Sequence, residues 1–129
     1  MKWTSCLFAI ALTLSLQAQG EYAVGYFYLK NGQPEKAYKE IRKLADVGFS
    51  FYMNMVADMH LKGIGVPADP VLAHVWYSLS AAQDNEVGIR YQQSVERELT
   101  QEDLARSQKL VLEYSKLYLE PYVAGWRIR

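Results

Sequence analysis

A chain of 129 residues, half of them hydrophobic and 22% charged, is sized for one domain with a packed core and is too apolar to stay disordered. Its 14 Lys and Arg balance its 14 Asp and Glu, which removes the basic excess that nucleic-acid binding or a polybasic membrane attraction requires. Its one cysteine, Cys6, excludes an internal disulfide and a cysteine-based metal site.

Residues 1–18 read as a secretory signal peptide. Lys2 gives a short positive start, Leu7 to Leu16 is an apolar run, and Leu16-Gln17-Ala18 puts a small residue at the expected cut. The run is too short for a membrane span, which takes about 20 apolar residues. Cleavage after Ala18 is expected, leaving a domain over 19–119 and a tail over 120–129. Cys6 precedes the apolar run, so it is not placed as the acylated cysteine of a bacterial lipoprotein, and cleavage removes it. The mature chain of about 111 residues then relies on burial alone, which a domain of this size can sustain. Export places it in the periplasm of a Gram-negative cell or outside the cell.

From there the chain reads as helices throughout, because no segment keeps a period of two between turn signals. The first helix is expected from about Glu21 to Leu29, closed by Asn31-Gly32, which tolerate the left-handed conformation. Pro34 sits in the first turn of the second, where proline is favoured. That helix repeats Ala37, Tyr38, Ile41, Leu44 and Ala45 on one face and stops at Gly48. The third runs from about Ser50 to Leu61, broken by Gly63 and Gly65. Asp69-Pro70 opens the fourth as N-cap and first residue, with Leu72, Val75, Trp76, Leu79 and Ala82 as its apolar stripe, and Asp84-Asn85 ends it. The fifth spans about Glu86 to Leu99. Thr100 and Asp103 form a capping-box-like start for a sixth that reaches about Leu119 and stops before Pro121.

The first four helices repeat. Ala37, Ile41, Leu44 and Ala45 fall on Ala73, Tyr77, Ser80 and Ala81 at a spacing of 36, and Val24, Gly25, Phe27, Tyr28 and Leu29 fall on Val56, Ala57, Met59, His60 and Leu61 at a spacing of 32. A two-helix unit with a period in the thirties is the range of tetratricopeptide-type repeats. The small Gly25, Ala57, Ala37, Ala45, Ala73 and Ala81 let paired helices approach, while Phe27, Met59 and Trp76 are expected to fill the space between units.

The segment Lys62-Gly63-Ile64-Gly65-Val66-Pro67-Ala68-Asp69, followed by Ala73-His74-Val75-Trp76-Tyr77 and Ala81-Ala82, closely resembles the Sel1-like repeat, a relative of the tetratricopeptide repeat. The likeness extends over about Tyr22 to Tyr118. The first unit departs from the pattern, with Glu40 at the tryptophan position and a shortened loop. His60, Asp84-Asn85, Phe51 and Tyr52 are departures in the second. Residues Glu86 to Tyr118 resemble a degenerate closing hairpin through Leu99-Thr100 and Leu104-Ala105-Arg106-Ser107-Gln108. The resemblance implies an all-α fold, a short right-handed superhelical solenoid of about three antiparallel hairpins. It also implies a non-enzymatic role in binding another protein, as an adaptor or scaffold in the bacterial cell envelope. The alternative is an immunity or inhibitor protein that neutralises a secreted effector.

No residue set announces a reaction. His60 and His74 lie on different helices without a carboxylate at zinc spacing, so a packed His60 and a surface His74 are expected and no metal. Gly63-Ile64-Gly65 lacks the strand before it, and the Lys-Ser/Thr after it, that a phosphate loop needs. Glu96, Glu98, Glu102 and Asp103 stand near helix ends, where charge is ordinarily solvated, and no serine has a nucleophile-elbow context. No catalytic residue and no cofactor is expected. The binding candidates follow from the family geometry, in which the first helix of each hairpin lines the concave face: Tyr22, Tyr26, Asn54, Asp58 and Arg90. A second candidate is the aromatic series Tyr114, Tyr118, Tyr122 and Trp126 with Arg127 and Arg129, read chiefly as folding back over the last hairpin and otherwise as an interaction arm.

Overall fold

The structure, a computed structural model, describes residues 16, 20 and 23–120. All the regular elements among them are helical: α1 over residues 23–30, α2 Pro34–Asp46, α3 Ser50–Lys62, α4 Pro70–Ala81, α5 Glu86–Glu96 and α6 Gln101–Tyr118. The boundaries follow the punctuation in the sequence. Gly32 is left-handed (φ 68°) and closes α1, with Gly32 N–H donating to Leu29 and Gln33 N–H to Tyr28. Gly63 caps α3 in the same conformation, and Ile64 N–H reaches back to Met59. Asp69 Oδ1 accepts from Leu72 N–H at 3.1 Å, with Pro70 opening α4. Thr100 Oγ1 accepts from Asp103 N–H at 3.1 Å. Helix α5 ends at Glu96, three residues before the expected Leu99, because residues 97–99 turn toward the Thr100 cap.

The centre of the molecule is α4. It packs against α3, α5 and α6, while α2 packs on α3. The expected single stripe on α4 is therefore too narrow: Val71 and every residue from Ala73 to Ser80 are buried, and Ala82, placed on that stripe, is exposed. A helix covered on all sides needs no polar face, and Pro70–Ala81 accordingly carries no Asp, Glu, Lys or Arg. Close packing rests on small residues. Gly25 faces Ile41, where a Cβ would come within 2.9 Å of its side chain, and Ala37, Ala45, Ala57 and Ala73 are fully buried; Ala81 is half-buried. Gly88 lies so near Ala81 N and Ser80 that a Cβ there would meet both at 2.7–2.8 Å. Gly65 (φ 73°) lies directly against the carbonyl of Pro34, so the α3–α4 loop, with half-buried Val66, docks on the start of α2.

Trp76 is fully buried between units, as its place in the repeat suggests. Its ring meets Tyr114 at 5.6 Å and Tyr118 at 5.4 Å on α6, and the Arg42 guanidinium of α2 lies over it at 4.5 Å. Met59 is buried as expected, but Phe27 is 58% exposed, with Tyr28 edge-on to it among the described residues, so it does not fill an inter-unit gap. The third hairpin is open. Helices α5 and α6 both pack on α4 but hardly on each other, and a cleft runs between them. Emptying the Trp76 site should lower stability: Trp76→Ala is expected to cost about 3–5 kcal/mol in urea unfolding, the range for a buried aromatic, whereas a loss under about 1 kcal/mol would contradict this packing.

Candidate functional site

Helices α3 and α5 are the first helices of successive hairpins, and a groove of about 340 Å³ runs between them with Tyr77 of α4 in its floor. Phe51, Asn54, Met55 and Asp58 form one wall, Val87 and Tyr91 the other. The Tyr77 and Tyr91 rings stack at 5.4 Å and 19°, and Arg90 lies over the outer Tyr91 ring at 6.0 Å. Burial pushes the Tyr77 hydroxyl well above its ordinary value, with the charge of Asp58 and the neighbouring Tyr91 adding to it, so Tyr77 enters the groove as a neutral phenol. Asp58 is bridged by Lys62 at 3.0 Å, so that wall presents a compensated pair.

The polar centre is a pair of asparagines. Asn85 Oδ1 caps α5, accepting from Val87 N–H and Gly88 N–H at 3.1 Å each, and its Nδ2 donates to Ser50 Oγ. Those backbone donors fix which end of Asn85 is oxygen, so the Asn54 atom at 2.9 Å from Asn85 Oδ1 must be the amide nitrogen. Asn54 Oδ1 is thereby turned away from Asn85 and is left without a hydrogen-bond partner. An unpaired buried carbonyl is costly to leave unmade, and this one lies just beneath the groove surface, closed off from solvent.

Asn54 and Asp58 thus share one groove, and Arg90 stands at its edge on Tyr91. Tyr26 lies on α1, 48% exposed with Lys30 over its ring at 5.2 Å, and does not line this groove. Tyr22, Tyr122, Trp126, Arg127 and Arg129 lie outside the described residues, as do residues 1–15 of the expected signal. Tyr114 and Tyr118 pack on Trp76. Sequence reasoning missed Tyr91, Val87 and Asn85, because the α5 pattern is weak and Asn85 reads simply as a helix end.

It also missed two polar networks, one partly buried and one deeply so. Arg42 donates to Asp46 (2.7 Å), to Tyr38 Oη (3.1 Å) and to Tyr118 Oη (3.0 Å). Burial alone would pull its pKa down, but the hydrogen bonds to Asp46 and Tyr38 outweigh that and hold it above the ordinary value. Tyr38 in turn meets His60 Nε2 at 3.1 Å. The second network overturns the surface placement of His74. It is 2% exposed, its Nδ1 lies 2.6 Å from Ser107 Oγ, and its Nε2 faces Glu96 at 3.5 Å. Burial lowers the pKa of both histidines, only partly offset at His60 by Asp69 and at His74 by Glu96. No group of three or more His, Cys, Asp or Glu side chains able to hold a metal occurs among the described residues, and no helix there is long and apolar enough to cross a membrane.

Stacked helical hairpins with a groove lined by their first helices define a repeat solenoid. The chain is a Sel1-like repeat protein: the Sel1 repeat model matches residues 18–39, which take in α1 and the start of α2, and 50–85, the second hairpin. No curated protein matches the chain in sequence. Among solved structures it is similar to the crystal structure of c5321, a protective antigen present in uropathogenic Escherichia coli strains that displays an SLR fold. The TM-score is 0.74 at 22% identity over 85% of this chain. The chain spans a quarter of that structure's length, and the likeness is one of fold.

The histidines make stability depend on pH. Their folded pKa values lie below the ordinary 6.5, so the unfolded chain takes up protons before the folded one does. Their contribution is complete above about 6.5 and declines as pH falls below it, by at most about 1.4 kcal/mol per pH unit for each group. In denaturant unfolding between about pH 7 and 5, His74→Gln is expected to flatten this decline; a slope unchanged by the substitution would show that His74 does not stay neutral in the fold.

Proposed function

We propose that the chain is an exported adaptor that binds an extended segment of another envelope or secreted protein in the α3–α5 groove. Sel1 repeats are protein–protein interaction modules, and the observation that carries the assignment is the groove between the first helices of successive hairpins, with Asn54 in its wall. Asn54 Oδ1, unpaired just beneath that wall, gains a donor once a small side-chain shift opens it to the backbone N–H that every extended peptide carries. Phe51, Met55, Val87 and Tyr91 around it offer apolar and aromatic surface to side chains on either side of that amide. Because Asp58 is already paired with Lys62, the groove favours an uncharged segment over a strongly basic one. Export rests on the signal-like residues 1–18.

The test is photocrosslinking in intact source cells with p-benzoylphenylalanine replacing Phe51 in the groove or Lys109 on the exposed face of α6. A discrete adduct at position 51 is expected, absent at 109, lost when Asn54→Ala is added, and carrying a chain whose mass begins at Gln19. Equal crosslinking at both positions, or an adduct indifferent to Asn54, would place the partner elsewhere; a mass that includes residues 1–18 would reject export by this signal.

A further inference from the structure

The groove occupies one flank of α5. Its other flank borders the open third hairpin, where α4, α5 and α6 enclose a separate cleft of about 580 Å³. His74, Ser78 and Ala81 of α4, with Ala82 just beyond its end, form its floor, Ile89, Gln92 and Glu96 one wall, and Gln108, Val111 and Leu112 the other. Ile89 is 38% and Leu112 66% exposed, so the walls are apolar and open to an entering chain.

The polar atoms at the bottom are unbalanced. His74 is almost fully buried, yet its Nε2 has no hydrogen-bond partner. Its Nδ1 is occupied by Ser107 at 2.6 Å, which fixes the ring so that Nε2 points at Glu96. The 3.5 Å gap to Glu96 Oε2 is longer than the roughly 2.7–3.2 Å of an N–H···O hydrogen bond. Among the described residues, the Glu96 carboxylate has no Lys or Arg in an ion pair; its neighbour there is His74, which burial keeps neutral near pH 7. A carboxylate thus stands in a partly apolar cleft without a counter-charge.

We infer that this cleft is a second binding site, which takes a basic side chain, arginine or lysine, presented by a protein partner. Charge complementarity selects the occupant. The cationic head pairs with Glu96 at the depth of His74, and the aliphatic stem lies along Ile89, Val111 and Leu112. An anionic head would meet Glu96 with like charge, and a purely apolar side chain would leave the carboxylate uncompensated and more deeply desolvated. The inference stands apart from the α3–α5 groove, because the lining residues of the two sites are disjoint.

The test uses the intact chain and the capped tripeptide Ac-Gly-Arg-Gly-NH2, with the same peptide carrying citrulline as an uncharged analogue of matching shape. Binding is followed by NMR shifts of the His74 ring and of the Ile89 and Leu112 methyls. The expected result is a saturable shift at all three with the arginine peptide. Affinity should fall about tenfold with citrulline, and equally with Glu96→Gln, which removes a half-exposed charge and leaves the fold in place. No saturable shift, equal affinity for the two peptides, or shifts confined to Phe51, Val87 and Tyr91 would overturn it. Asn54→Ala, which tests the groove, is expected to leave these shifts unchanged, so failure at one site is separable from failure at the other.

Discussion

The rest of the structure depends on the contact between Arg42 and Trp76. A guanidinium 4.5 Å above a fully buried indole joins the first hairpin to the second, and its hydrogen bond to Tyr118 joins both to the third. Cation–π attraction between a partly exposed guanidinium and a buried tryptophan is worth about 1–2 kcal/mol, and the planar guanidinium can stack and donate at once, which a lysine ammonium cannot. The partly buried charge is tolerated here because Asp46 compensates it and the Tyr38 and Tyr118 hydroxyls each accept from one of its terminal nitrogens. Trp76 therefore does two jobs: it spaces α2 and α6 around α4, and it carries the charged pin that sets their register.

With α4 held on all sides, α5 becomes the helix on which binding geometry turns. Only Gly88 and Val95 of α5 are buried, and the near contact of Gly88 with Ser80 and Ala81 anchors its first turn. Its two flanks then face different surroundings. Val87 and Tyr91 look onto α3 across the narrow groove, while Ile89, Gln92 and Glu96 look onto α6 across the open hairpin. One lightly packed helix thus separates a groove with an unpaired acceptor from a cleft with an uncompensated carboxylate. A partner that offers an extended backbone and a nearby basic side chain could use both, and the second contact would raise affinity through effective concentration.

Much of the architecture was legible in the sequence, since the signals that mark it are local. Asn31-Gly32, Gly63 and Asp69-Pro70 mark helix ends through backbone conformation and capping, and the two-unit repeat exposes Ala37, Ala45, Ala73 and Trp76 as packing positions. Burial between distant segments was less legible. The α4 stripe looked one-sided because a helix wrapped by three others has no polar face from which to read its orientation. His74 looked solvent-facing because its partner Ser107 lies 33 positions away, and nothing local to Arg42 signals that Tyr118, 76 positions on, would fold onto it. Of the binding candidates, Asn54 and Asp58 come together in one groove through the alternation of hairpins, whereas Tyr26 stands apart on α1. The apolar wall opposite them, Val87 and Tyr91, belongs to the unit whose repeat pattern is weakest.

An α4 buried from Ala73 to Ser80 and pinned through Trp76 is the rigid axis on which both proposed binding surfaces are hung. Native-state hydrogen exchange tests it directly. Backbone amides of Trp76 to Leu79 are expected to exchange slowest in the chain and only through global unfolding, while those of α5 exchange through smaller, local openings. Amides of α4 that exchange as readily as those of α5 would contradict the account.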